Sequence, residues 1–210
     1  MVSADTPIEM AGGEKRWVSR GALKLLAGLD SFPVEIAGKR ALDVGASTGG
    51  FTQVLLEAGA IHVVSLDVGR GQLHESLRSN LNVTSMEKTN FRHVSVSELG
   101  TFPLVVADVS FISICTLAPR FAEIGDEAAD YLLLVKPQFE ARRSDVGRGG
   151  IVTDPEVRRA SVAKVVVCLD AVGIGAQSVI TSPIEGSDGN VEYLLWLRKG
   201  AESVDLEVPN

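Results

Sequence analysis

Residues 40–51, Arg-Ala-Leu-Asp-Val-Gly-Ala-Ser-Thr-Gly-Gly-Phe, constrain this chain more than any other stretch. A short apolar run carrying one acid, Asp43, gives way to Gly45, then to small residues, then to a helical pattern. That order reads as a strand turning into a helix through a loop almost without side-chain bulk. Such a loop lets a ligand press against backbone N–H groups at a helix N-terminus.

The rest of the chain repeats the strand-then-helix alternation. Leu23, Leu25, Leu26 and Leu29 recur at helical spacing from Ser19 to Asp30, before Pro33. Strands are expected at 39–45, 62–67, 83–86, 104–108 and 131–136, and crossover helices at 50–58, 71–79 and 112–124. A long helix is expected at 154–172, with Asp154 as N-cap and Pro155 at its first position. Two final strands, 175–182 and 191–197, are joined by a hairpin-like connection with no helix between them. Strands apolar on both sides imply a parallel sheet covered by helices on both faces. The expected fold is therefore α/β and Rossmann-like: a mostly parallel seven-stranded sheet with an antiparallel edge hairpin. Residues 17–200 form the domain, 1–16 a poorly ordered lead-in and 201–210 an acidic tail.

Composition narrows the classes. Hydrophobic residues make up 45% and charged residues 22%, enough for a packed core. No apolar run approaches the roughly 20 residues that span a bilayer, so no membrane partner is expected. Cys115 and Cys168 lack a paired spacing and read as reduced core thiols of a cytoplasmic protein, not as a disulfide or zinc site. His62, His74 and His93 show no metal-like spacing, and no metal is expected. The net charge of −7 is unusual for a nucleic-acid binder, but it is uneven. Lys15, Arg16, Arg20 and Lys24 cluster in one segment, and Arg142, Arg143, Arg148, Arg158 and Arg159 in another, so a local basic face is open.

The ligand class follows from the ends of the strands. In a doubly wound sheet, ligands bind outside the carboxyl ends, at the switch point. Asp67 ends the second strand, 24 positions after Asp43 (67 − 43), where an acid can accept hydrogen bonds from a ribose diol. A dinucleotide fingerprint needs a glycine where this chain has Ser47, and no phosphate-loop lysine motif is present. The glycines fall instead at 45, 49 and 50, and Asp43-x-Gly45-x-x-x-Gly49 fits S-adenosylmethionine better. That cofactor carries a cationic sulfonium and an ammonium, which Asp43 and Asp108 suit electrostatically. The loop Gly45, Ala46, Ser47, Thr48, Gly49, Gly50 and Phe51, with Asp67 and Val68, is the expected cofactor shell.

Several longer runs carry a resemblance. Val18–Leu25 (Val-Ser-Arg-Gly-Ala-Leu-Lys-Leu), Leu42–Thr52 and Asp67–Leu73 are similar to the TlyA (hemolysin A) branch of the FtsJ-like RNA methyltransferases. So are Glu87–Arg92, Asp108–Ser113, Leu134–Glu140 and Gly186–Tyr193, in family order from about Trp17 to Arg198. The resemblance implies methyl transfer from S-adenosylmethionine to a ribose 2′-OH of cytidine in ribosomal RNA, of the small (16S) or large (23S) subunit. It also implies a Lys-Asp-Lys-Glu catalytic tetrad, which falls on Lys24, Asp108, Lys136 and Glu192. Asn90 sits where such enzymes often place an acid against the adenine amine, and its carbonyl can still accept.

Those residue types suit the chemistry. A ribose hydroxyl is a weak nucleophile, so a base must take its proton as it attacks the methyl. Lys136 can do so only as the neutral amine, which a second ammonium nearby (Lys24) and partial desolvation would favour. Asp108 would position that amine and the methyl donor, and Glu192 would hold Lys24 or the ribose. Most of the rate would come from alignment of hydroxyl, methyl and sulfur. Members of this branch carry an N-terminal S4-type RNA-binding module, which the residues before Trp17 do not resemble. Weak binding to ribosomal RNA or ribosomal subunits is therefore expected of this chain alone. The rival readings are a cytolytic or non-catalytic binding protein, and a methyltransferase of small molecules or proteins. The arginine- and glycine-rich loop 142–150 suits backbone phosphates better than a substrate lid.

Overall fold

The computed structural model describes residues 16–186 and 188–209. The lead-in expected over 1–16 thus lies almost wholly outside the described residues. In chain order the elements begin α1 (Gly21–Ser31), β1 (Arg40–Val44), α2 (Gly50–Glu57), β2 (His62–Leu66), α3 (Glu75–Arg78) and β3 (Val83–Met86). They continue with α4 (Val96–Leu99), β4 (Phe102–Ala107), α5 (Ile114–Ile124), β5 (Gly125–Val135) and α6 (Pro137–Glu140). The chain closes with α7 (Pro155–Asp170), β6 (Ile174–Thr181) and β7 (Tyr193–Lys199).

Local chemistry explains several boundaries. Helix α1 stops at Ser31 because Phe32 is already extended ahead of Pro33. Helix α2 starts where Gly49 adopts φ 97°, a left-handed backbone that also leaves no room for a Cβ against Leu73 and Leu77. Asp154 caps α7 by accepting from Glu156 N, with Pro155 at the first helical position.

The strands form one seven-stranded sheet in the order β3-β2-β1-β4-β5-β7-β6. Strands β3 to β5 pair parallel, while β7 runs antiparallel to both β5 and β6. The final hairpin does form the antiparallel end of the sheet, with β7 inserted inside it and β6 at the edge. Alternate residues of each strand face opposite layers. Ala41, Val63, Leu104, Val106, Leu132 and Leu134 pack under α1 and α2. Leu42, Val64, Val105, Leu133, Tyr193 and Leu195 pack under α5 and α7. Residues 201–209 are tied down rather than free: Val204 N donates to Ala176 O at 2.9 Å, and Leu206 and Val208 pack on the core. This stretch covers the outer edge of β6, whose backbone would otherwise be open to pairing.

Three features differ from the sequence expectation. Helix α3 is one short turn, not 71–79, because Gly71 adopts φ 65° and His74 caps the turn at Ser76 N. Strand β5 begins at Gly125, before its apolar part, since Asp126, Glu127 and Ala128 sit in a bulged region opposite Phe102–Leu104. The cysteines are a correction. Cys115 on α5 and Cys168 on α7 form a disulfide, with Cα atoms 5.5 Å apart across 53 residues of sequence. Packing of two helices side by side brings them together, which spacing along the chain cannot reveal. The cysteine argument for a reducing compartment therefore falls. Among the described residues, no helix is long and apolar enough to cross a membrane.

Phe121 is fully buried and links the aromatic cluster, with its ring 5.0 Å from Phe91 and 6.2 Å from Tyr131, while its carbonyl accepts from Tyr131 Oη at 2.9 Å. Phe121→Ala should cost about 3–5 kcal/mol in chemical denaturation, with the urea slope unchanged.

Candidate active site

At the carboxyl ends of β1 and β4 the backbones of the two strands press together. Asp108 N donates to Val44 O at 3.0 Å, and a Cβ on Gly45 would lie 2.4 Å from Asp108 O. With φ 83° as well, position 45 accepts only glycine without strain. Two clefts open from this junction and share Gly45, Ser47 and Asp108.

One cleft, of about 500 Å³, is walled by Asp67, Val68, Gln72, Asn90, Phe91 and the segment 108–112. That volume lies within the ordinary range for small-ligand pockets. Asp67 shapes the loop: Oδ2 accepts from Ser47 N at 2.8 Å and Oδ1 from Gly69 N at 2.7 Å. These bonds hold Ser47 in its left-handed conformation, φ 49°, and leave further lone pairs on both oxygens. Asn90 Oδ1 accepts from Arg92 N at 3.0 Å, so its carbonyl also begins with a partner of its own.

The other cleft brings the four sequence-predicted catalytic residues together. Lys24, on α1, lies 2.5 Å from Glu192 Oε2, just before β7, and both are buried. Lys136, at the end of β5, lies 2.6 Å from Asp108 Oδ1. The same ammonium donates a hydrogen bond to Ser110 Oγ at 2.9 Å. Ser47, Thr48, Gly50 and Phe51 line the same cleft, as do Ala46 and residues 184–186.

Gly49 has no face on either cleft, and neither does the predicted site residue Asp43. It is fully buried beneath the loop, where Oδ2 accepts from Thr52 Oγ1 at 2.6 Å, and Oδ1 has no partner. Burial pushes its carboxyl up to about 7, and the negative charges of Asp108 and Asp67 add to this against the Thr52 bond. Asp43, Asp67 and Asp108 thus gather negative charge around one loop, which suits a ligand bearing a sulfonium and an ammonium. Among the described residues, no group of His, Cys, Asp or Glu is placed to hold a metal.

Three polar contributors escaped the sequence reading: Ser110, Glu140 and Asn190. All lie inside the runs that carried the family resemblance, yet their partners are distant in sequence. Asn190 Oδ1 accepts from Val152 N and its Nδ2 donates to Gly150 O, both at 2.9 Å, tying the arginine-rich loop to the segment bearing Glu192.

The fold, with its ligand clefts at the carboxyl edge, is that of a Rossmann-like S-adenosylmethionine-dependent methyltransferase. An S-adenosylmethionine-dependent methyltransferase from Listeria monocytogenes superposes with TM-score 0.63 at 17% identity, over 86% of this chain and 99% of that one. The model of the FtsJ-like methyltransferase family matches residues 17–199, and the chain belongs to that family. It is 50% identical over 186 residues to the 16S/23S rRNA (cytidine-2′-O)-methyltransferase TlyA of Mycobacterium tuberculosis, covering 88% of this chain and 69% of that protein. It is 39% identical to Hemolysin A of Brachyspira hyodysenteriae, over 85% of this chain and 75% of that protein. A crystal structure of a hemolysin-named protein from Lactococcus lactis superposes with TM-score 0.87 at 40% identity, over 93% of this chain and 95% of that one.

Because the folded carboxyl of Asp43 lies near 7 and the unfolded one near 3.8, the native state binds the extra proton between those values. Stability from this group is therefore full at low pH and lost as pH rises toward about 7. Asp43→Asn should flatten that fall. Relative to the unsubstituted protein, it should gain a few kcal/mol between pH 5 and pH 8 in denaturant titrations.

Proposed function

We propose that this chain transfers a methyl group from S-adenosylmethionine to the ribose 2′-OH of a cytidine in ribosomal RNA, with residues 17–200 as the catalytic domain. The observation that carries the reading is the pair of lysine–carboxylate contacts, Lys24–Glu192 and Lys136–Asp108, lining one cleft beside a nucleotide-sized one. Relatives named as rRNA (cytidine-2′-O)-methyltransferases, from M. tuberculosis and Campylobacter jejuni, supply the substrate class. A ribosomal RNA substrate supports a cytoplasmic location.

The cofactor would be held by Gly45–Phe51 with Asp67, Val68 and Asn90, and it supplies a methyl group on a positively charged sulfur. Lys136, as the neutral amine, takes the proton of the attacking hydroxyl. Lys24 lines the same cleft, paired with Glu192. Asp108 and Ser110 fix Lys136 Nζ in position, and Glu192 fixes Lys24 against the ribose. Lys24, Lys136 and Glu192 are buried, and alignment of the reactants provides most of the acceleration.

The RNA backbone would approach over the loop 142–150. Arg142, Arg143 and Arg148 are exposed there, and no carboxylate among the described residues pairs with them. Three cations on one loop are a small footprint beside a net charge of −7, so binding to RNA by this chain alone is weak and strongly salt-dependent.

The direct test is tritiated methyl transfer onto purified ribosomal subunits lacking the modification. The unsubstituted chain should label the RNA. Lys136→Ala should lower the rate by about 10²–10⁴-fold, the usual contribution of a general base, while its affinity for the cofactor by calorimetry stays within about threefold. Absence of cofactor binding by the unsubstituted chain would overturn the proposal.

A further inference from the structure

Among the described residues, Asp43, Asp130 and Glu140 are the buried carboxylates outside the tetrad, and Glu140 is the one that follows Lys136 closely in the chain. Glu140 is 4% exposed and ends α6, the turn that follows Lys136 directly. Its Oε1 accepts from Ile114 N at 2.7 Å and its Oε2 from Ser113 Oγ at 2.5 Å. Lys164, on α7, donates to its carbonyl oxygen at 2.7 Å and lies 3.5 Å from Oε2. A buried carboxylate is tolerable only when donors satisfy it in this way. The partners are specific in place: Ser113 is the N-cap of α5, and the segment 108–113 carries Asp108 and Ser110.

The segment after β4 and the turn after β5 are therefore laced together at successive points. Lys136 meets Asp108 and Ser110, the Phe139 ring lies 5.1 Å from the Phe111 ring, and Glu140 meets Ser113 and Ile114. Between the first and last of these contacts, Phe111 adopts φ 63° with its side chain 91% exposed. A non-glycine residue in that region is strained and persists only where its surroundings over-determine it. The exposed ring of Phe111 cannot supply that constraint by burial. The Glu140 carboxylate, clamped on the first turn of α5, can.

We propose that Glu140 is a positioning residue of the reaction. Held by Ser113 and Ile114, its carboxylate sets how far Asp108 and Ser110 stand from Lys136 Nζ, and it touches neither reactant. As a statement about catalysis this rests on the methyltransferase reading; as a statement about where Lys136 is held it does not. The amide of glutamine offers one acceptor oxygen and turns a donor toward a backbone N–H or a hydroxyl. Glu140→Gln should thus loosen the lacing while keeping the side chain's size. Cys168→Ser gives the comparison, because it removes the other tie between α5 and α7, the Cys115–Cys168 disulfide, and leaves Glu140 intact.

The experiment is trace acetylation of the resting protein with acetic anhydride, read residue by residue by mass spectrometry, with Lys24 as the internal reference. In Glu140→Gln, Lys136 should react at least about fivefold faster, and Lys24 should stay within about twofold, as expected for a local release. Cys168→Ser should leave the Lys136-to-Lys24 ratio at the unsubstituted value. In methyl transfer, kcat of Glu140→Gln should fall about tenfold or more with KM for RNA little changed, since small misplacements of a catalytic group act on kcat. An unchanged Lys136 rate, or an equal rise at Lys24, overturns the inference. If Glu140→Gln does not fold, Glu140→Asp keeps the charge, shortens its reach by one methylene and carries the same readouts. The labelling needs no methyl acceptor. Failure of the unsubstituted chain to methylate therefore strikes the functional reading alone, and an unchanged labelling ratio strikes the inference alone.

Discussion

An ammonium is stable out of water only opposite a carboxylate, and much of this molecule is arranged so that two such pairs share one edge of a sheet. Lys136 and Asp108 follow adjacent parallel strands, so the sheet delivers both to the same edge. Lys24 and Glu192 arrive from outside that frame, on α1 and on the segment leading into β7. Their approach requires bare backbone. A Cβ on Gly186 would lie 2.5 Å from Glu192 Oε1, and one on Gly28 would meet Leu194. Not every buried carboxylate here is of this kind. Asp130, between Lys39, Trp196 and Arg198, sits at the opposite end of β5 and β7 from both clefts and serves the sheet alone.

The cofactor loop depends on the same junction. The left-handed turn at Gly45, the close pass over Asp108 O and the Asp67 bonds to Ser47 N and Gly69 N hold the loop open before any ligand binds. Burial chiefly raises the carboxyl of Asp43 beneath it, and the charges of Asp108 and Asp67 add to this. A cationic ligand in the adjoining cleft would offset the negative charge gathered there.

Much of this was legible in the chain itself, for local reasons. Glycines at 45 and 49, the acid ending the second strand and the Asp154-Pro155 helix start depend on a few adjacent residues, and each lies where its neighbours dictate. The strand at 83–86 has the expected bounds, and the final hairpin is antiparallel as its lack of a helix implied. Features made by contact across the fold were not legible. Nothing near Cys115 announces Cys168, and nothing near Glu140 announces Ser113. The insertion of β7 between β5 and β6 is a choice of neighbour that period and composition leave open. The tetrad was placed by its motifs; its division into two pairs is a product of the packing.

The methyl acceptor proposed for this chain is a ribose hydroxyl, not a base nitrogen or carbon. Digestion of the methylated ribosomal RNA to nucleosides, with mass-spectrometric identification of the labelled one, tests it. The expected labelled product is 2′-O-methylcytidine. Label on a base-methylated nucleoside would contradict it, because two lysine–carboxylate pairs would then be serving a different acceptor.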